Sequence, residues 1–159
     1  NIRGLLSMKK ILLIIIVIIV IILIGLGIFM SIKGNKKPIS TEQFINITTE
    51  LGYNTSKVTT SSTVIDSYTA KKDDYEIKFY STSNELADKN YNRIKRKYES
   101  IKDSTSVETN ISVEKYSKYT LTTNEYYMVV TKIDTTLIFA KVSKDYKNNV
   151  NDTLEKLGY

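Results

Sequence analysis

The chain has 159 residues, no Cys, no His and a formal net charge of +6. The two missing residue types exclude a disulfide framework, a His- or Cys-ligated transition metal, and any Ser-His-Asp or Cys-His catalytic site built from this chain alone. Nucleic acid is not the partner that the charge implies. Arg3, Lys9, Lys10, Lys33, Lys36 and Lys37 carry the six-charge excess, no acid precedes Glu42, and the remaining 17 Lys and Arg balance the 17 Asp and Glu.

The N-terminal part is read as a basic tail (1–10), an apolar run (11–30) and a short basic linker (31–39). Met8-Lys9-Lys10 has the form of a natural start before an apolar segment. Ile11 to Met30 holds no charge. As a helix it would rise about 30 Å, the thickness of a bilayer's hydrocarbon core. Lys9 and Lys10 flank it on one side, and Lys33, Lys36 and Lys37 on the other, positioned to meet anionic headgroups. The expectation is a single transmembrane helix acting as a signal anchor, with the C-terminal domain outside the cytoplasm at the cell membrane. The competing reading is a cleaved signal peptide, with Ile11 to Leu23 as its apolar region and Gly25-Leu26-Gly27 as the cleavage site. Ile28, Phe29 and Met30 continue the apolar run past that point and favour retention. Flanking charge is three against three, so orientation rests on the layout alone. Gly27-x-x-x-Ser31 has the small-residue spacing of paired membrane helices. The linker spans at most roughly 30 Å, which keeps the domain near the membrane surface.

Residues 40–159 are long enough for one domain with its own core. Ser40 to Gln43 reads as a capping box, and Phe44, Ile47 and Leu51 share a helical face that Gly52 ends. A strand over Thr63 to Ala70 follows. After the polar turn Lys71 to Asp74 comes a second strand, with Tyr75, Ile77 and Phe79 alternating against Glu76, Lys78 and Tyr80. Thr82 to Glu85 repeats the capping box before a second helix lined by Ala87, Tyr91, Ile94, Tyr98 and Ile101. Asp103 to Asn110 reads as a polar loop. Three strands come next, at about Ser112 to Thr122, Glu125 to Ile133 and Thr136 to Val142, with short turns at Thr123-Asn124 and Asp134-Thr135. Ser143 caps a final helix bearing Tyr146, Val150, Leu154 and Leu157, closed by Gly158. The expected fold is α+β in the order α-β-β-α-β-β-β-α: a five-stranded antiparallel sheet with three helices packed on one face. Leu-Gly-Tyr ends two helices, which reads as one helix-stop chemistry used twice, not as a duplication.

The stretches "DYEIKFY", "YNRIKRKY", "YSKYTLTTNEYYMVV", "TLIFAKV" and the closing "LEKLGY" resemble small extracytoplasmic proteins of Gram-positive bacteria. These are lipoproteins or membrane-anchored proteins with no assigned activity. The resemblance implies an address outside the cytoplasm and carries no functional residues. Many relatives would bear a lipidated Cys, which the uncharged apolar run replaces here. The Lys, Ile, Asn and Tyr content also fits an AT-rich bacterial genome.

Motifs with chemistry are sparse. Asp73-Asp74 is an acidic pair without the loop of a calcium site and reads as a solvated turn. No Gly-rich phosphate loop is present. Ser112-x-x-Lys115 matches Ser-x-x-Lys, but in a strand positions three apart face opposite ways. No catalytic residue, cofactor or metal site is assigned. Two surface features remain. On the second helix Lys89, Arg93, Arg96 and Lys97 fall on one arc opposite the apolar stripe, a candidate contact for an anionic surface. Glu85 with Lys89, Lys95 with Glu99, and Arg96 with Glu99 are pairs that would make this an ordinary solvated face. Tyr68, Tyr75, Tyr80, Tyr116, Tyr119, Tyr126 and Tyr127 lie in strands, where an exposed ring could stack on sugars or grip peptides. The expected function is a non-catalytic binding or accessory module of the cell envelope. Its expected partners are the lipid bilayer, an anionic envelope polymer or a membrane protein. The alternative is an envelope hydrolase using carboxylates or a Ser-Lys pair.

Overall fold

The computed structural model describes Ile15, residues 36–59 and residues 66–159. Residues 36–159 form a compact unit. Its elements are α1 (Thr41–Glu50), β1 (Asn54–Lys57), β2 (Asp66–Lys72), β3 (Tyr75–Ser81), α2 (Asn84–Glu99), β4 (Val107–Val113), β5 (Tyr116–Thr122), β6 (Tyr126–Ile133) and β7 (Thr136–Ser143). A 3-10 turn (Lys144–Tyr146) then leads into α3 (Lys147–Lys156). The strands form one antiparallel sheet in the order β1-β2-β3-β7-β6-β5-β4.

The expected sheet of five strands is corrected to seven. β1 was not expected, because in Asn54-Thr55-Ser56-Lys57 Thr55 is the one strand-forming side chain. It exists through its ladder with β2, where Asn54 pairs with Lys71 and Lys57 with Tyr68. The expected strand Ser112 to Thr122 is two strands, β4 and β5, folded about Glu114-Lys115. Glu114 has φ 48°, a turn conformation that Asn or Gly adopts more readily. The segment expected as a polar loop supplies the first half of β4. The expected transmembrane helix and signal anchor, residues 11–30, lie outside the described residues apart from Ile15. Among the described residues no helix is long and apolar enough to cross a membrane.

The helices were expected on one face and pack on both. In register, Phe79 lies opposite Ile138 while Tyr80 lies opposite Leu137, so the two sets point to opposite sides of the sheet. α2 covers the side of Tyr119, Leu121, Met128, Val130 and Leu137 with Ala87, Tyr91, Ile94 and Tyr98. α1 and α3 cover the other side. Phe44 stacks on Phe79 with ring centroids 4.7 Å apart, and Val150, Leu154 and Leu157 are fully or almost fully buried.

The two Leu-Gly-Tyr endings share one mechanism. Gly52 and Gly158 both have φ 83°, the left-handed conformation a helix stop requires. In each case the following Tyr N–H reaches back five residues, Tyr53 to the Thr48 carbonyl and Tyr159 to the Leu154 carbonyl. Both tyrosines then turn inward and are buried. Tyr159 hydroxyl bonds to Thr136. Tyr53 joins a chain whose direction is fixed from its end: Thr153 donates to the Asn149 carbonyl, so Tyr53 donates to Thr153 and Tyr75 donates to Tyr53. One hydrogen-bonded line thus ties α1, β3 and α3 together. At the helix starts, Ser40 and Gln43 form the expected capping box. The second box is corrected: Ser83, not Thr82, is the cap of α2, and it makes no side-chain capping bond.

Burial pushes several tyrosine hydroxyls up, Tyr91, Tyr127 and Tyr159 to about 12. In the unfolded chain they ionise near their usual value of about 10. The stabilisation is therefore complete below about pH 10 and is lost as pH rises towards about 12. Urea titrations at rising pH are expected to show falling stability over that window. Absorbance at the phenolate band is expected to show part of the 12 tyrosines protonated in the native state at pH 11.

Candidate functional site: the outer face of helix α2

α2 exists because its apolar positions recur on one stripe, with Ala87, Tyr91, Ile94 and Tyr98 buried against the sheet. The stripe orients everything else on the helix. At about 100° per residue, Lys89, Arg93, Arg96 and Lys97 cover one flank and the outward edge. Asp88 and Glu99 cover the other flank, and Glu85 falls on the outward edge, within about 20° of Arg96 around the helix.

The acids on that second flank are drawn to particular partners. Asp88 pairs with Lys132 at 2.7 Å, where the Lys132 side chain is only 9% exposed on β6. Glu99 pairs with Lys95 at 3.7 Å, and the Lys95 ammonium sits 5.4 Å from the centroid of the Tyr119 ring on β5. The acidic flank therefore faces β5, and the basic flank is turned away from it. Of the three pairs that would have neutralised the basic arc, Lys95 with Glu99 forms, but Lys95 is not an arc residue. Neither Lys89 nor Arg96 has a salt bridge among the described residues. Arg93 donates to the Asn90 side-chain oxygen at 3.0 Å, a neutral partner. All four arc residues are exposed. From Lys89 to Lys97 the arc runs about 12 Å along the helix. Arg96 and Lys97 also lie in the last turn, where they complement the partial negative charge of the helix end.

The other expected features are placed differently. Lys36, one of the lysines flanking the apolar run, donates to the Gly158 carbonyl at 3.0 Å, and burial lowers its pKa. Lys37 is exposed, and Lys9, Lys10 and Lys33 lie outside the described residues. Ser112 and Lys115 are not brought together. Ser112 Oγ is 3.3 Å from Ser117 Oγ, and Lys115 pairs with Asp134 at 3.1 Å. Asp73-Asp74 is the β2–β3 turn, and no cluster of carboxylates able to hold a metal ion occurs among the described residues. Of the seven strand tyrosines, Tyr126 is the exposed one, at 39%. Tyr68 and Tyr80 are half-buried and the remaining four are buried.

Sequence reading missed the setting of Tyr126. Its ring lies under the Lys141 ammonium, 4.4 Å from the centroid. The two border a shallow depression of about 310 Å³ together with Ile101, Asp103, Asn124 and Glu125. Asp103 accepts bonds from the Thr105 hydroxyl and N–H and from the Ser106 hydroxyl, which hold its carboxyl below the usual range. It is thus ionised at neutral pH and unsuited to donate a proton to a leaving group. The Ile101 to Ser106 loop signals this depression only weakly, since it is built by a turn and not by a periodic element.

No family model matches the chain, and no curated protein matches it. Among solved structures, a GTP binding regulator from Thermotoga maritima is similar at 13% identity and a TM-score of 0.47, covering 76% of this chain and 85% of that one. A likeness of that degree carries no argument about function.

The Asp88–Lys132 pair sets the orientation of the charged flanks, and Lys132 is nearly buried. Asp88→Asn is expected to destabilise the fold by about 1–3 kcal/mol, because an ammonium with little access to water loses its carboxylate. Glu99→Gln, whose pair is exposed on the acid side, is expected to cost less than about 1 kcal/mol. Chemical denaturation of the two variants checks the contrast.

Proposed function

We propose that residues 36–159 form a non-catalytic binding module whose contact surface is the outer arc of α2, and that its ligand is an anionic polymer. The observation that carries this reading is the arrangement of Lys89, Arg93, Arg96 and Lys97. They are four exposed cations on one helix flank and its outward edge, without salt bridges among the described residues, while Asp88 and Glu99 of the same helix are engaged on the opposite flank. A row of cations on a rigid helix meets a polyanion without ordering a loop, so little conformational entropy is spent on contact. Arginine's planar fork suits phosphate or carboxylate groups. From residue 39 onward the 17 Lys and Arg, the arc included, balance the 17 Asp and Glu, so the arc is a local feature and not part of a general basic surface.

The address proposed for this module is outside the cytoplasm. Its support is sequence alone: the resemblance carried by stretches such as "YNRIKRKY" and "YSKYTLTTNEYYMVV". The binding reading does not depend on it.

The test is retention of the protein on immobilised polyphosphate under a salt gradient. Each exposed cation near an anionic surface contributes about 1 kcal/mol, so Arg93→Gln with Arg96→Gln is expected to weaken binding by about 30-fold. Elution is expected to move to lower salt, as screening requires. Lys57→Gln, on the far edge of the sheet, is expected to elute with the parent protein. Unchanged elution of the Arg93, Arg96 double variant would remove the arc from the proposal.

A further inference from the structure

The sheet has two edges, and they are unlike. β1 is four residues long, carries Lys57 and packs beside α1, which are features that discourage another strand from adding there. β4 is seven residues long, exposed over most of its length, and contains neither Pro nor Lys. Val107 at its start is 68% exposed, the largest exposure of any big apolar side chain among the described residues. A long edge whose single charge, Glu108, is already paired with Lys102 at 2.6 Å is a template for pairing.

The backbone of β4 defines which groups are offered. Glu114-Lys115 is a two-residue turn, so Val113 and Tyr116 close the hairpin as a hydrogen-bonded pair. By alternation Ile111, Thr109 and Val107 also direct their N–H and C=O groups to β5. Glu108, Asn110 and Ser112 direct theirs outward, away from the sheet.

The sequence Val107-Glu-Thr-Asn-Ile-Ser-Val113 is self-complementary when a second copy runs antiparallel and Asn110 meets Asn110. Glu108 then lies opposite Ser112, so no like charges face each other. Val107 lies opposite Val113 and Thr109 opposite Ile111, which extends the β-branched stripe on the side of α1 and α3. The three outward-facing residues of each strand meet those of the other as hydrogen-bonded pairs, and every offered donor finds an acceptor. The two Asn110 side chains sit side by side on the α2 side, where each amide has both a donor and an acceptor for the other.

We infer that β4 is the homodimerisation edge of this protein, with two copies joined antiparallel about Asn110 into one continuous sheet of 14 strands. The two-fold axis of such a strand pair is perpendicular to the sheet, so both copies keep α2 on the same side. The two basic arcs then face the same way, and one polyanion chain meets both. This consequence rests on the reading of α2 given above; the dimer itself does not.

The absence of Cys allows a direct test in the full chain. Opposed residues of a hydrogen-bonded pair have Cα atoms about 5.5 Å apart, within the range a disulfide spans. Asn110→Cys is therefore expected to lose its monomer band to a disulfide-linked dimer on mild oxidation. Ser112→Cys is the control: in this register it lies roughly 13 Å from its own copy, and it is expected to stay monomeric. Mixed Glu108→Cys and Ser112→Cys chains are expected to give the hybrid dimer, which neither gives alone. Equal cross-linking at 110 and 112 would reveal random collision, and no cross-linking at 110 would show a free edge. Either result overturns the inference, whatever the outcome with polyphosphate.

Discussion

The ladder between β3 and β7 is the contact on which the rest of the domain depends. It is short, running from Lys78 opposite Phe139 to Ser81 opposite Thr136. It joins a meander made before α2 to a meander made after it, so β1-β2-β3 and β4-β5-β6-β7 become one sheet. Chain segments that are local in sequence build each meander, and this one non-local pairing unites them. Everything that covers the sheet exploits the seam. On one side Phe44 and Tyr53 of the first half meet Phe79, Tyr75 and Thr153. On the other, α2 packs on strands of the second half, while Tyr80 of β3 contacts Phe139 of β7 at 4.8 Å. The Tyr75–Tyr53–Thr153–Asn149 line adds a directional tie between the two meanders where α1 ends.

From that frame the charge pattern of α2 follows. A helix held by Ala87, Tyr91, Ile94 and Tyr98 has no freedom to rotate without exposing them. The flank that meets β5 and β6 must therefore present Asp88 and Lys95, and the flank turned away must present Arg93 and Lys97. Lys132 and Asp88 reinforce the choice, since the nearly buried ammonium attracts the acid. The basic arc is a by-product of this orientation and also its one chemically distinctive surface. By contrast, Lys71 and Lys78 on the sheet share the carboxylate of Glu76.

Much of this was legible in the sequence, for reasons that particular residues make plain. The helices were read from real periodicity, the Ser40 box from its residue types, and both Gly stops from their Leu-Gly-Tyr context. The arc on α2 was read from spacing, and its orientation agrees. What the sequence did not give away were features without local signatures. β1 is polar and exists through pairing. Glu114-Lys115 makes a tight turn with residues that do not advertise one. A helix stripe shows that a face is buried and not which side of the sheet buries it. One sequence signal does bear on this: Met128-Val129-Val130 and Leu137-Ile138 are continuous apolar runs, and strands buried on both faces lose the alternation of a one-sided sheet. Read that way, β6 and β7 already call for helices on two sides. Tyrosine exposure had no sequence signal, because Tyr126 and Tyr127 are neighbours with opposite fates.

The central claim is that the outer arc of α2 is the surface that meets a polyanion. Amide chemical shifts of the ¹⁵N-labelled protein during a polyphosphate titration test it most directly. The account predicts salt-sensitive shifts centred on Lys89, Arg93, Arg96 and Lys97, with the Asp88–Glu99 flank and the Tyr126 depression unmoved. Shifts centred on Lys141 and Tyr126, or on no contiguous surface, would contradict it.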